Sequence, residues 1–163
     1  MKHVLSVLVE NHSGVLSRVS GLFSRRGYNI DSLSVGETED PKISRMTIVT
    51  DSDEYTLEQI KKQLNKLIDV IKIIELEDGS SISRELALIK ISATKETRAE
   101  IIEIANIFRA HIVDVSCDSI VIEATGDEAK IIALSNMLES YGIKELVRTG
   151  LTALERGDSE LKK

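Results

Sequence analysis

The chain has 163 residues, of which 42% are hydrophobic and 29% charged, and its net charge is −6. These values are ordinary for a soluble globular protein and exclude wholesale disorder, because such a chain can bury a substantial core. The negative net charge argues against nucleic-acid binding, as does the absence of any Lys/Arg cluster larger than a pair. The single cysteine, Cys117, excludes an intramolecular disulfide and fits a reducing cytoplasm. No stretch approaches the ~20 apolar residues of a membrane span. We therefore expect a cytoplasmic protein without a membrane segment.

The first half of the chain predicts the order β-α-β-β-α-β. Residues 2–10 are nearly all apolar, as in a strand buried on both faces, and a polar turn follows. Apolar residues at helical spacing from Val15 to Phe23 then predict a helix that Gly27 ends. Strands are predicted over residues 29–35, 43–50 and 70–76, with a polar hairpin loop over residues 36–42 between the first two.

The second helix of this half is predicted to open at a capping box that runs from Thr56 to Gln59. Its apolar face would extend through Leu57, Ile60 and Leu64 to Leu67 and Ile68. Residues 77–83 are polar and predict a linker.

The second half repeats the same order with little sequence identity. Strands are predicted over residues 86–93, 112–115, 119–125 and 143–149. One helix opens at a capping box beginning with Thr97, and another is capped by Asp127 and ended by Gly142. The fold class predicted is therefore α+β, with two tandem ferredoxin-like (βαββαβ) domains and antiparallel sheets, over residues 1–77 and 84–150. Residues 151–163 are polar and predict a peripheral tail.

In a ferredoxin-like domain both helices cover the same face of the sheet, so the second face needs another cover. Two such sheets that pair edge to edge or back to back, within or between chains, would provide it. We expect a dimer or a higher oligomer.

The sequence contains no pattern that indicates an active site. No Cys/His group has the spacing of metal ligands, and neither standard Gly-rich phosphate loop is present. No serine lies in a nucleophile elbow, and Cys117 has no basic neighbour in sequence. We expect no catalytic residue, no metal site and no cofactor in this chain.

The turn between the first strand and the first helix carries the chemistry that can bind a ligand. The first amides of a helix lack internal partners and attract a carboxylate. Gly14 allows a close approach to the backbone, and Asn11 can receive an ammonium group or support the loop. The alternative is an ordinary helix start with an Asn or Ser cap.

Residues 7–50, VLVENHSGVLSRVSGLFSRRGYNIDSLSVGETEDPKISRMTIVT, resemble the start of the acetohydroxyacid (acetolactate) synthase small subunit family. The long pattern N-x-S-G-x-L-S-R-V-x-G-L-F-x-x-R-G-Y-N-I-x-S-L carries the resemblance, which SRMTI at residues 44–48 and LEQIKKQLNKL from residue 57 extend. It implies that the first domain is an ACT domain, which binds a small amino acid between two chains.

The resemblance also implies the residues of the effector site. Asn11 and Gly14 of one chain would hold the amino and carboxylate groups of the effector, and Val15 and Leu16 would line the pocket. Asn29 and Ile30 on the second strand of the neighbouring chain would contact it, although a strand start and a core contact also explain these two residues. Three further residues are expected nearby: Ser17, Gly36 and Gln59.

A member of this family would bind the large subunit of acetolactate synthase, raise its activity and confer feedback inhibition by valine. Thiamine diphosphate, Mg²⁺ and FAD would belong to the large subunit. One alternative is a free-standing amino-acid sensor with two ACT domains that regulates another protein. A second is a small enzyme of the acylphosphatase kind, which Arg18 disfavours because it lies inside a predicted helix instead of an anion-binding loop.

Overall fold

The computed structural model describes all residues, Met1–Lys163, and the chain divides into two compact units. The first consists of Met1–Ile82 together with Leu151–Lys163, and the second of Ser83–Gly150. Each contains four strands and two helices in the order β-α-β-β-α-β; the first sheet has four strands, and the second has a fifth strand outside this order. The predicted fold class is confirmed. No helix has the length and apolar composition that a membrane crossing requires.

The first unit is built on a sheet with the strand order β2-β3-β1-β4. Its elements are β1 (Lys2–Glu10), α1 (Val15–Arg26), β2 (Ser32–Glu37), β3 (Ile43–Asp51), α2 (Glu54–Asn65) and β4 (Val70–Glu75). Both β1 and β2 pair with β3 in antiparallel register, so β1 and β2 run in the same direction. The last residues of β1 therefore lie at the opposite end of the sheet from the first residues of β2.

Both helices pack on one face of this sheet through aliphatic side chains. Alternate residues of β1 and β3 meet the apolar faces of α1 and α2 in one core, formed by Leu5, Val7, Val9, Val15, Val19, Leu22, Phe23, Met46, Ile48, Leu57, Ile60 and Leu64. Each such side chain contributes ~1.5–3 kcal/mol on burial. This core holds the two ends of α1 in place against the sheet.

The predicted bounds of β2 are wrong. The strand begins at Ser32 instead of residue 29 and continues to Glu37, so Gly36 lies in the strand and not in the hairpin loop. The residues before Ser32 do not continue the strand, although single hydrogen bonds connect Asn29 and Asp31 to β3. The Asn29 side chain donates to Asp31 at 2.6 Å, and the Asn29 carbonyl accepts from the Thr50 hydroxyl at 2.7 Å. Asn side chains compete with the ladder in this way.

The second helix begins earlier than the capping box at Thr56 predicts. The N-cap is Asp53, whose carboxylate accepts a 2.7 Å hydrogen bond from the Thr56 amide, and this bond lowers the pKa of Asp53. The helix ends at Asn65, so Ile68 does not continue its apolar face and is 95% exposed.

The second unit has the strand order β6-β7-β5-β8. Its elements are β5 (Ser81–Ser92), α3 (Arg98–Ile107), β6 (His111–Val115), β7 (Ser119–Gly126), α4 (Glu128–Leu138) and β8 (Ile143–Arg148). Asp127 caps α4 as predicted. Thr97 occupies the N-cap position of α3, but its hydroxyl bonds to Thr94 and not to the helix, so the predicted capping box does not form. Cys117 is exposed in the turn between β6 and β7.

The tail of residues 151–163 is not peripheral. It contains a further strand, β9 (Thr152–Glu155), which pairs with β5, and Arg156 donates to the carbonyls of Ser80 and Ser81. Leu161 is only 6% exposed, because it packs against Leu8 and Ile43. The tail thus covers part of the sheet face that the helices leave open.

Candidate functional site

The loop of residues 11–14 joins the end of β1 to the start of α1, and Asn11 supports its shape. The Asn11 amide nitrogen Nδ2 donates to the Pro41 carbonyl at 2.8 Å and to Glu37 Oε1 at 3.2 Å. Its backbone amide donates to the carbonyl of Lys42 at 2.8 Å. Both donors of the side chain are therefore used inside the chain, while its Oδ1 acceptor makes no hydrogen bond.

The first turn of α1 has no side-chain cap. Gly14 occupies the N-cap position with φ 87°, a left-handed conformation that favours glycine. No side chain accepts from the first amides, so the alternative of an Asn or Ser cap is excluded. These amides carry partial positive charge from the helix dipole. The start of α1 can therefore accept an anionic group.

The three residues after Gly14 differ in exposure. Val15 is buried in the core at 3% exposure, so its side chain faces away from the surface. Leu16 is 46% exposed, and Ser17 is also exposed. Of the apolar residues predicted beside the ligand, Leu16 is the one whose side chain reaches the surface.

Asn29 and Ile30 lie in the segment that joins α1 to β2, not on β2 itself. Asn29 is exposed, and Ile30 is partly buried against the core of the first unit. This segment is fixed by the bonds of Asn29 and by the Asp31 amide, which donates to the Val49 carbonyl at 2.8 Å.

The other two residues expected nearby lie apart from the loop. Gly36 is exposed on β2, opposite Arg45, with open space where a Cβ would project. Gln59 lies midway along α2 and is partly exposed.

Within one chain, the predicted residues of the loop at Asn11 lie far from Asn29 and Ile30. In the strand register, Ser32 lies level with Val4 through their shared neighbour Val49. Asn11 follows seven residues after Val4, and strands rise ~3.3 Å per residue, so Asn11 and Ser32 are separated by roughly 20 Å. Asn29 precedes Ser32 in the chain, so it lies beyond the start of β2 and farther still from Asn11. The loop of residues 11–14 therefore stands at one end of the sheet and Asn29 at the other.

An ionic cluster that the sequence pattern does not predict lies beside the loop. Asp69, in the turn before β4, is 6% exposed. Its carboxylate accepts from Arg18 Nε at 2.6 Å and lies 3.2 Å from His12 Nε2. Its backbone carbonyl accepts from the Glu10 amide at 2.9 Å. The available signal was an acidic residue within the apolar run LIDVIKII at residues 67–74.

A second ionic cluster lies at the opposite end of the sheet. Glu75 accepts from Lys61 at 2.7 Å and from His3 at 2.9 Å, and His3 Nε2 lies 3.2 Å from the Ser52 carbonyl. Partial burial opposes the ionisation of Glu75, but the hydrogen bonds from Lys61 and His3 outweigh it and lower the pKa of Glu75. The bond to Glu75 raises the pKa of Lys61. This cluster fastens α2 to the edge of the sheet. No group of three or more His, Cys, Asp or Glu side chains has a geometry that could hold a metal ion.

Comparison with known proteins relates both units to one family. Residues 5–72 match the model of the AHAS small subunit-like ACT domain, and residues 84–157 match the model of the small subunit of acetolactate synthase. The chain is 59% identical to the acetolactate synthase small subunit of Mycolicibacterium smegmatis, over 95% of this chain and 91% of that protein. It is 57% identical to a probable acetolactate synthase small subunit of Archaeoglobus fulgidus, over 98% of this chain and all of that one. The crystal structure of the acetolactate synthase small subunit from Thermotoga maritima superposes with a TM-score of 0.90 at 40% identity, covering 98% of this chain and 99% of that chain.

Proposed function

Because the chain belongs to the acetolactate synthase small-subunit family, we propose that it binds the large catalytic subunit, raises its activity and makes it sensitive to valine. The observation that carries the sensing part of the proposal is the uncapped, exposed start of α1 directly after Asn11. An amino acid presents one anionic group, one cationic group and a side chain, and this loop offers a complement to each.

The carboxylate of the effector binds the amides of Leu16 and Ser17 at the start of α1, since the Val15 amide already donates to the His12 carbonyl at 3.5 Å. The ammonium group donates to Asn11 Oδ1, which stays available because Nδ2 is held by Pro41 and Glu37. The isopropyl group lies against Leu16, the exposed apolar side chain of the turn. Gly14 leaves space beside the backbone because it has no Cβ, and the Arg18 guanidinium lies next to this position.

A second copy of the chain completes the site. β2 is an edge strand of its sheet, and edge strands pair readily with another strand. If two copies of β2 pair in antiparallel fashion about Ser34 and Val35, Asn29 of the second copy falls near the level of Asp40. That position is next to Pro41, to which Asn11 is bonded. A twofold dimer thus unites the two ends of the sheet that one chain keeps apart.

The remaining predicted residues have supporting roles in this arrangement. Ile30 of the second copy follows Asn29 and adds an apolar contact, while Ser17 and Gly36 lie on the surfaces that face that copy. Gln59 lies midway along α2, apart from the loop, and acts on the effector only indirectly.

The interactions are sufficient for feedback sensing. Burial of a valine side chain contributes ~1.5–3 kcal/mol, and each charge-assisted hydrogen bond contributes about as much. After the cost of association, the dissociation constant falls in the micromolar-to-millimolar range. Discrimination among valine, isoleucine and leucine is modest, because one methylene changes binding by only ~1–3 kcal/mol.

The chemistry of the holoenzyme belongs to the large subunit. That subunit condenses two molecules of pyruvate, or pyruvate with 2-oxobutyrate, in branched-chain amino-acid biosynthesis in the cytoplasm. Thiamine diphosphate, Mg²⁺ and FAD are bound there, and the present chain supplies regulation. Valine withdraws the activation because it binds one arrangement of the ACT pair more tightly than another.

Reconstitution tests the proposal. The purified chain is titrated into the large subunit, and acetolactate formation is followed with and without valine. We expect the rate to rise to a plateau with added small subunit and then to fall when valine is added. A chain that binds valine but never stimulates the large subunit would support the free-standing sensor instead.

A further inference from the structure

The ionic cluster of His12, Asp69 and Arg18 lies beside the loop of residues 11–14. Asp69 is the buried member, and its single carboxylate is shared by His12 and Arg18, which come from either side of Gly14. His12 and Arg18 are themselves about half exposed, with side-chain exposures of 56% and 47%. The cluster therefore has a buried anchor and two cationic groups at the surface.

The guanidinium group of Arg18 is held directly over Gly14. Side chains on a helix lean toward its N-terminus, which brings this residue of the first turn back over the loop. A Cβ built on Gly14 would stand 2.9 Å from Arg18 Nη1 and 3.8 Å from Nη2. Asp69 engages only Nε, at 2.6 Å. Both terminal nitrogens of Arg18 thus lie next to Gly14, the residue that precedes α1, and they make no hydrogen bond to a protein group.

We propose that Arg18 binds the carboxylate of the amino-acid effector through these terminal nitrogens, and that Asp69 is the positioning residue that aims them. The inference rests on the proposed effector site and adds its source of selectivity for a carboxylate. A guanidinium offers two parallel N–H donors to one carboxylate, and such pairs are stronger than bonds from neutral amides. The bond to Asp69 fixes the fork before the ligand arrives, which lowers the entropy lost on binding.

Two ligands that differ only at the carboxylate test the role of Arg18. L-valine and L-valinamide share the amino group and the side chain, but valinamide has no negative charge. Isothermal titration calorimetry on the full chain gives the affinity for each. In the unmodified chain we expect valine to bind more tightly. Arg18→Met should weaken valine binding by about tenfold or more, the loss expected for one charge-assisted hydrogen bond. The affinity for valinamide should change little.

The matched control is Arg25→Met, in the last turn of the same helix. It removes the same charge far from the loop and should preserve the ratio of the two affinities. Asp69→Asn keeps the size of the side chain while removing its charge. Asp69→Asn alone should reduce the affinity for valine. The double variant Asp69→Asn/Arg18→Met should bind valine about as weakly as Arg18→Met alone, because the two residues act as one unit. Circular dichroism of each variant shows that it is folded.

The outcomes separate this inference from the proposed function. If the unmodified chain binds neither valine nor another branched-chain amino acid, the proposed effector site is wrong. If valine binds but Arg18→Met leaves the ratio of valine to valinamide affinity unchanged, Arg18 does not contact the carboxylate and the inference is overturned. The same conclusion follows if folded Asp69→Asn binds valine as tightly as the unmodified chain, since Asp69 would then position nothing that the ligand uses.

Discussion

Replacement of Gly14 by alanine should damage the effector site more than the fold. Gly14 has φ 87°, and an L side chain in the left-handed region costs ~1–2 kcal/mol. An added Cβ would also stand 2.9 Å from Arg18 Nη1, so the guanidinium has to move. Gly27 provides the matched control, because it has φ 70° and nothing within 4 Å of its Cβ position. Gly27→Ala therefore carries the backbone cost without the displacement of Arg18.

Two measurements on this pair distinguish the effects. Urea denaturation should show that both variants lose about 1–2 kcal/mol of unfolding free energy. Valine inhibition of the reconstituted enzyme should be weakened in Gly14→Ala by about tenfold or more, the value of one charge-assisted hydrogen bond, and not in Gly27→Ala. Equal valine sensitivity in the two variants would refute the reasoning that this loop receives the effector.

Three further predictions concern stability. Asp53→Ala removes the cap of α2 and should lower the unfolding free energy by about 1 kcal/mol in denaturant, whereas Asp53→Asn should lower it less. Leu161→Ala should lower the unfolding free energy by about 2 kcal/mol, the low end for a buried leucine, because the small cluster that it joins lies near the surface. The control is Leu154→Ala, since Leu154 is 53% exposed. Equal losses in the two variants would mean that the tail does not pack on the sheet. Because the pKa of Glu75 is lowered in the folded chain, its ionised carboxylate stabilises the fold at any pH above its unfolded pKa of about 4.3. This stabilisation is lost as the pH falls toward the folded pKa, so the unfolding free energy of Glu75→Gln should depend less on pH in the acid range. The raised pKa of Lys61 acts in the opposite direction, and its contribution is lost only as the pH rises above about 10.4.

Hydrophobic periodicity was sufficient to predict the fold class and most elements. β1 follows a nearly continuous apolar run, and α1 and α4 follow helical spacing, because each buries an apolar face. The predicted boundaries of helices and strands are wrong where two local sequence patterns compete. The segment DSDEYTLEQ at residues 51–59 offers both Asp53 and Thr56 as caps, and the contact that selects Asp53 is visible only in the structure.

The parts that could not be predicted depend on tertiary neighbours. Leu161 is an isolated apolar residue in a polar tail, so no periodicity indicates that it packs on the sheet. The loop of residues 11–14 was predictable from its turn residues, and its role in effector binding stays a prediction. Asp69 was not predictable, because its partners Arg18 and His12 are more than fifty residues away in sequence.

The central claim is that each effector site takes Asn11 from one copy of the chain and Asn29 from another. Mixed dimers test it directly, with valine binding measured by calorimetry on the separate Asn11→Ala and Asn29→Ala proteins and on the two co-expressed. Each variant alone should bind valine weakly. A dimer that contains one of each has a single intact site, because the unaltered Asn11 and Asn29 meet across the twofold axis. Random assortment then restores about one quarter of the normal number of tight sites. No recovery in verified mixed dimers would contradict the claim and would place both asparagines in the same chain's site, or outside it.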